Sequence, residues 1–252
     1  MMFQEVPFPE RFAAAGRAGF RGVEFLFPYA HPAAELAEIA QAAGVQVVLF
    51  NMPPGNWEAG DRGLACDPAR RREFEDGVGR TLEYARALGV RQVHCMAGLR
   101  PRGTSESQLR DTYLANLALA GRALEEAGLT LLIEAINPRD MPGFYLGSSR
   151  QAVEVMDAAR IPNLRFQYDV YHLQIVEGDL TKTIERLLPR IGHFQVADVP
   201  ARNEPGTGEI NYPFLFRRLD ELGYAGWIGC EYRPAAGTVA GLGWVEPYLR
   251  AR

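Results

Sequence analysis

Apolar residues along the chain follow two alternating rhythms. Short runs of about five to seven residues alternate with longer stretches in which apolar positions recur every three or four residues. The short runs predict strands at Gly22 to Phe27, Val45 to Asn51, Gln92 to Ala97, Thr130 to Ile136, Leu164 to Val170, His193 to Ala197 and Trp227 to Tyr232. The longer stretches predict helices at Pro9 to Ala18, Ala33 to Ala43, Pro68 to Leu88, Glu106 to Ala127, Ser148 to Ala158, Leu180 to Leu188 and Pro213 to Leu222. Glycines close several of these helices before the next strand, at Gly19, Gly44, Gly89, Gly128 and Gly223, where a left-handed residue caps a helix most easily.

Successive strands begin about 23 to 47 residues apart, the spacing of βα units and a parallel sheet. No Ser/Gly-rich linker or charge run interrupts the series, so residues 1–252 read as one domain. A TIM-type (β/α)₈ barrel fits this length best, with a doubly wound open sheet second. Only seven strands are readable, because the first helix begins within about ten residues of the N-terminus. An open barrel would leave strand edges unpaired. The expectation is therefore that the first strand is missing because the chain as given starts downstream of the true start. A sheet of seven strands by design is the alternative.

Composition narrows the function. At 252 residues, 47% hydrophobic and 23% charged, the chain reads as globular. It has no apolar run near the roughly 18 to 20 residues of a membrane span. MMFQEVPFPERF carries no basic segment followed by an apolar one, so no secretory signal is expected. Cys66, Cys95 and Cys230 are widely spaced and form neither a disulfide framework nor a metal knuckle, which points to the cytoplasm. A net charge of −4 argues against a broad nucleic-acid face. All but one of the 27 basic residues are arginine. Lys182, the single lysine, falls in the first turn of a helix, which disfavours Schiff-base chemistry. Neither a Walker-type GKS/GKT nor a G-x-S-x-G elbow is present.

In a parallel barrel the chemistry gathers at the C-terminal strand ends. Four consecutive strands end in Glu134, Asp169, Gln195 and Glu231, separated by 35, 26 and 36 residues. Burying unpaired carboxylates costs several kcal/mol each, no lysine is available to offset them, and arginines near the strand ends are few. A divalent cation resolves the problem. Three carboxylates and an amide oxygen form a hard ligand set suited to Mg²⁺ or Mn²⁺, and less to Zn²⁺, since no His or Cys is among them. Taken singly, each could instead be a loop-facing acid or a helix N-cap.

The segments FRGVEFLFPY, LLIEAIN, QYDVYHLQ, IGHFQVAD, RNEPGTGEINY and GWIGCEYRP resemble the hydroxypyruvate isomerase family, one of the xylose-isomerase-like barrels, from about Phe3 to Tyr248. The resemblance implies a divalent metal held by Glu134, Asp169, Gln195 and Glu231, with Glu134 and Glu231 as the proton-transferring pair. It implies a 1,2-proton shift through an enediolate, interconverting hydroxypyruvate and tartronate semialdehyde (2-hydroxy-3-oxopropanoate). A four-carbon 2-oxo-tetronate, or a related keto-sugar epimerisation, is the alternative. Family members begin with a further strand that this chain lacks.

Other residues are weaker candidates. His172, three positions past Asp169 in the expected loop, can reach a substrate oxygen. Arg202 is the candidate for gripping a substrate carboxylate in bidentate fashion. His193 should be a buried, hydrogen-bonded core residue, His94 is ambiguous, and His31 should start a helix. Gly206 and Gly208 can form an anion-binding nest or simply a turn. Glu209 can cap its loop, form a salt bridge or orient Arg202. The connection NWEAGDRGLACDP, with Trp57 and Arg62, is either a lid or ordinary loop packing. Two competing classes are a metal-dependent nuclease, which would need more histidines and a basic face, and a sugar-acid binder that has lost catalysis. The oligomeric state is not readable from sequence.

Overall fold

The computed structural model describes residues 1–249. The strand runs become β1 (Gly22–Phe25), β2 (Gln46–Asn51), β3 (Gln92–His94), β4 (Thr130–Glu134), β5 (Leu164–Asp169), β6 (Ile191–Val196) and β7 (Ile228–Cys230). Each pairs in parallel with the next, in the order β1 to β7. They curve into a nearly closed barrel with helices outside it. Parallel strands covered on both faces are apolar throughout: in β2, Val47 to Asn51 are all buried.

The amphipathic stretches become α1 (Phe8–Arg17), α2 (Ala33–Ala42), α3 (Arg71–Leu88), α4 (Glu106–Glu126), α5 (Ser149–Ala159), α6 (Val170–Val176), α7 (Leu180–Leu187), α8 (Tyr212–Glu221) and α9 (Glu246–Leu249). Helices α1 to α5 pack side by side in sequence order. In α4, Leu109, Tyr113, Leu117, Ala120 and Leu124 form one buried stripe, each leucine stabilising by about 1.5–3 kcal/mol. The Ser105 hydroxyl accepts from the Gln108 amide while the Gln108 side chain accepts from the Ser105 amide, so the helix start is doubly capped. At the other end of such a unit Gly89 adopts φ 65°, and its N–H bonds to the Ala85 carbonyl of α3.

The segment after β5 differs from expectation. Helix α6 begins directly at Val170, so His172 lies on a helix and not in a loop. Asp169 caps that helix, its Oδ1 accepting from the Tyr171 amide at 2.9 Å. The N-terminal residues form no strand. Met1 lies with Glu24, Phe25, His193, Trp227 and Gly229 around a cavity of about 320 Å³ between β1 and β7. Among the described residues, no helix is long and apolar enough to cross a membrane.

Candidate active site and metal centre

Because all seven strands run in one direction, their C-terminal ends open at one mouth. Glu134 is the last residue of β4, Asp169 the last of β5, and Glu231 follows the last residue of β7. Atoms of Glu134, Asp169, His172 and Glu231 lie within 4.8 Å of one another. The structure thus brings together three of the four expected donors and adds an imidazole. His172 faces Asp169 Oδ2 at 3.5 Å and Glu134 Oε1 at 3.9 Å. The Asn137 amide, 2.6 Å from Nδ1, fixes the ring from behind. Drawn as a donor, that amide leaves the ring proton on Nε2, facing the carboxylates.

Gln195, in register with Asp169 on the neighbouring strand, is also buried and points inward. Its Oε1 accepts from Gln167 Nε2 at 2.6 Å and its Nε2 donates to Glu24 Oε1 at 2.8 Å.

Arg202 enters this cluster, although the sequence promised little arginine at the strand ends. Its Nη2 lies 2.6 Å from Glu231 Oε2 and 3.5 Å from Asp169 Oδ2, and its Nη1 is 3.4 Å from Asp140 Oδ2. The guanidinium also stacks on Tyr171, 4.9 Å from the ring centre. One monovalent cation cannot balance three carboxylates, two of them buried and the third, Glu231, half-buried. Burial is the first cause that drives the Glu134 carboxyl well above the usual range, with the charges of Glu231 and Asp169 adding to it. Burial likewise raises Glu231 and lifts Asp169 to about 6, against the opposing pull of Arg202. His172 and His94 are both pushed down to about 3, chiefly by burial.

Glu134 Oε1 is buried without a hydrogen-bond partner, as is His94 Nε2. His94 stands 3.7 Å from Glu134 Oε2 and is held at Nδ1 by Asn51, 3.3 Å away. A compact set of oxygen donors with one orphaned carboxylate oxygen and excess negative charge is a fitting cradle for a divalent cation.

A scan against family models matches residues 12–248 to the xylose isomerase-like TIM barrel family. The chain belongs to this family. Its relatives in the family include the 2-oxo-tetronate isomerase of Cupriavidus necator, 52% identical over 99% of this chain and 96% of that one. The hydroxypyruvate isomerase of Escherichia coli K12 is 47% identical over 98% and 96%. A crystal structure from Brucella melitensis, named an AP endonuclease, family 2, superposes with a TM-score of 0.96 at 45% identity, covering 98% of this chain and 95% of that one.

Other candidates of this family member resolve into local structure. His193 is fully buried and lies between Gln92 and Glu24. His31 precedes α2, and the Phe8 ring stacks on its imidazole. Glu209 accepts from Gln174 on α6 and makes no bond to Arg202 among those described. Trp57 packs on Phe27, with the Arg62 guanidinium 4.0 Å from its ring.

The Gly206 and Gly208 amides do converge on a carboxylate, but it is the chain's own. Both donate to Asp198 Oδ2 at 2.9 Å, while Val199 and Ile210 donate to Oδ1. Asp198 therefore organises the loop that carries Arg202. Asp198→Ala strands four backbone donors and should cost roughly 3–5 kcal/mol, visible as a lowered urea midpoint. An unchanged midpoint would mean the loop is organised by something else.

Glu24, Asn51, Gln167 and Asn137 were not singled out from sequence. Glu24 and Gln167 do carry a signal: each is a polar residue inside an apolar strand run, where a buried position demands a partner.

Proposed function

We propose that this chain is an isomerase of a small 2-oxo acid, with hydroxypyruvate and 2-hydroxy-3-oxopropanoate as its substrate pair. The observation that carries this reading is the convergence of the buried Glu134 and Asp169 with the half-buried Glu231 at the barrel mouth. The 47% identical relative named hydroxypyruvate isomerase supports it. The 52% identical relative named 2-oxo-tetronate isomerase favours a second reading, in which the substrate has four carbons.

Glu134, Asp169, Gln195 and Glu231 would hold one Mg²⁺ or Mn²⁺, which supplies positive charge opposite the oxyanion that develops during the reaction. One glutamate removes a proton from C3 of hydroxypyruvate, and the C3–H electron pair becomes the C2–C3 double bond of an enediolate. The other glutamate delivers a proton to C2, and the C3 hydroxyl proton passes to the C2 oxyanion, which leaves an aldehyde at C3 and a hydroxyl at C2. Burial raises both carboxyls above their usual range, and the positive charge of a bound cation would favour their ionised, proton-accepting form.

His172 Nε2 is positioned to donate to a substrate oxygen. Arg202 is the carboxylate-binding group, and gripping a substrate requires it to release one of Asp140, Asp169 or Glu231. The net charge of −4 and the single histidine in the cluster favour a small substrate over nucleic acid. The three free thiols suit the cytoplasm.

Side-by-side turnover of hydroxypyruvate and 2-oxo-tetronate, with Mg²⁺ or Mn²⁺ and again with EDTA, tests the proposal. Turnover of at least one acid that EDTA abolishes is expected. Failure on both acids, or full activity in EDTA, overturns it.

A further inference from the structure

A glutamine can present either its oxygen or its nitrogen to a cation, and only the oxygen binds one. The centre proposed above therefore needs something to fix the Gln195 amide, and the inference here rests on that reading. Glu24, on β1, has no part in it so far. Its Oε1 accepts from Gln195 Nε2 at 2.8 Å, and its Oε2 lies 2.6 Å from His193 Nε2.

The chain of bonds has a direction. Gln92 Nε2 lies 3.2 Å from His193 Nδ1. An amide nitrogen only donates, so the ring proton sits on Nε2 and points at Glu24. Each Glu24 oxygen thus faces one nitrogen, Oε1 the Gln195 amide and Oε2 the His193 ring. As a carboxylate it accepts on both oxygens, so Gln195 must turn its nitrogen towards Glu24. The Gln195 oxygen then faces Gln167, which lies beside Glu134. One lone pair of that oxygen takes the Gln167 amide and the second stays free.

The backbone is built for this reach. Glu24 crosses β7 to arrive at β6, and it passes over Gly229, where a Cβ would collide with its carboxylate.

We propose that Glu24 is a positioning residue that sets the polarity of the Gln195 amide, so that its oxygen faces the carboxylate cluster. Glu24→Gln tests this with almost no change of shape. His193 keeps its donor on the new oxygen, so the new NH₂ faces Gln195, which must flip and turn its own NH₂ towards the cluster. Gln167 Oε1 has no partner, so that residue can flip with it and the fold should survive.

Titrating Mn²⁺ into EDTA-stripped full-length protein by calorimetry should show E24Q binding roughly 10- to 100-fold more weakly than wild type. Gly229→Ala, which displaces the Glu24 carboxylate without removing its charge, should weaken binding as well, and it carries the test if E24Q does not fold. The double variant E24Q/Q195E should recover affinity, because a carboxylate offers oxygen at both ends and the amide introduced at position 24 can donate to one of them. In a Q195A background, E24Q should change affinity by no more than about twofold. Wild-type affinity in E24Q, or the same loss in the Q195A background, overturns the proposal, the latter by showing a through-space charge effect. No Mn²⁺ binding by wild type, or wild-type binding by Q195A, would instead overturn the metal-centre reading and this inference with it.

Discussion

Replacing Glu134 or Glu231 by glutamine should stop deuterium from solvent entering the substrate and lower kcat by about 10³-fold, within the 10²- to 10⁴-fold that one positioned acid or base contributes. Glutamine keeps the size and most of the hydrogen bonding of glutamate but cannot take a proton, so a loss reports proton transfer and not shape. The two variants should nonetheless differ in stability. Glu231 bonds directly to Arg202 at 2.6 Å, and E231Q gives up that charge-assisted contact. Glu134 has one oxygen with no partner and a carboxyl driven far up by burial and by its acidic neighbours. E134Q therefore removes a repelling group, and in EDTA should be as stable as wild type or more so. Deuterium exchange followed by NMR, paired with thermal melts of the same samples, separates the two effects. Wild-type exchange in either variant would falsify the role given to that residue.

How much of this was legible from sequence depended on where each residue's partner lies. Glu134, Asp169 and Glu231 could be read as a set because each closes an apolar run, and strand ends of a parallel sheet share one mouth. The short helix α6 could not be seen, because VYHLQIV follows the strand LRFQYD directly, with no turn residue or change of period at the junction. The only sign of the break is Asp169, which caps the helix and faces the cluster with its other oxygen. Strand β3 was read through Ala97 but ends at His94. Beyond it the chain stays bonded, the Ala97 carbonyl accepting from the Cys66 amide in the loop after β2. Arg202 and Glu24 show the limit most clearly. Arg202 meets Asp140 across 62 residues and Glu24 meets His193 across 169. Nothing in either local sequence reports that charge, so the balance of the acidic cluster emerges only from the folded barrel.

That balance predicts how a cation and pH act together on stability. In EDTA-treated protein, burial raises Asp169 from 3.8 to about 6 and raises Glu134 and Glu231 as well. For such groups the native state binds more protons than the unfolded chain, so stability is fully present below about pH 4 and falls as pH rises through 6 and beyond. Glu24 has the opposite sign: His193 and its hydrogen bonds hold its pKa down, so its contribution is present above about pH 4.5 and is lost as pH drops through its folded value. A dication held by the ionised cluster would have to displace the protons of the first three groups. Its stabilisation should therefore be small at pH 5 and large at pH 8. With free Mn²⁺ at 100 times its dissociation constant, the gain is about 2.7 kcal/mol, which for a chain of this size raises Tm by roughly 5–10 °C. Differential scanning calorimetry at the two pH values, with one fixed free Mn²⁺ concentration and an EDTA control, measures both halves. Equal shifts at pH 5 and pH 8 would mean that the cation binds away from the buried carboxylates, because only groups that must shed protons on binding make its effect depend on pH.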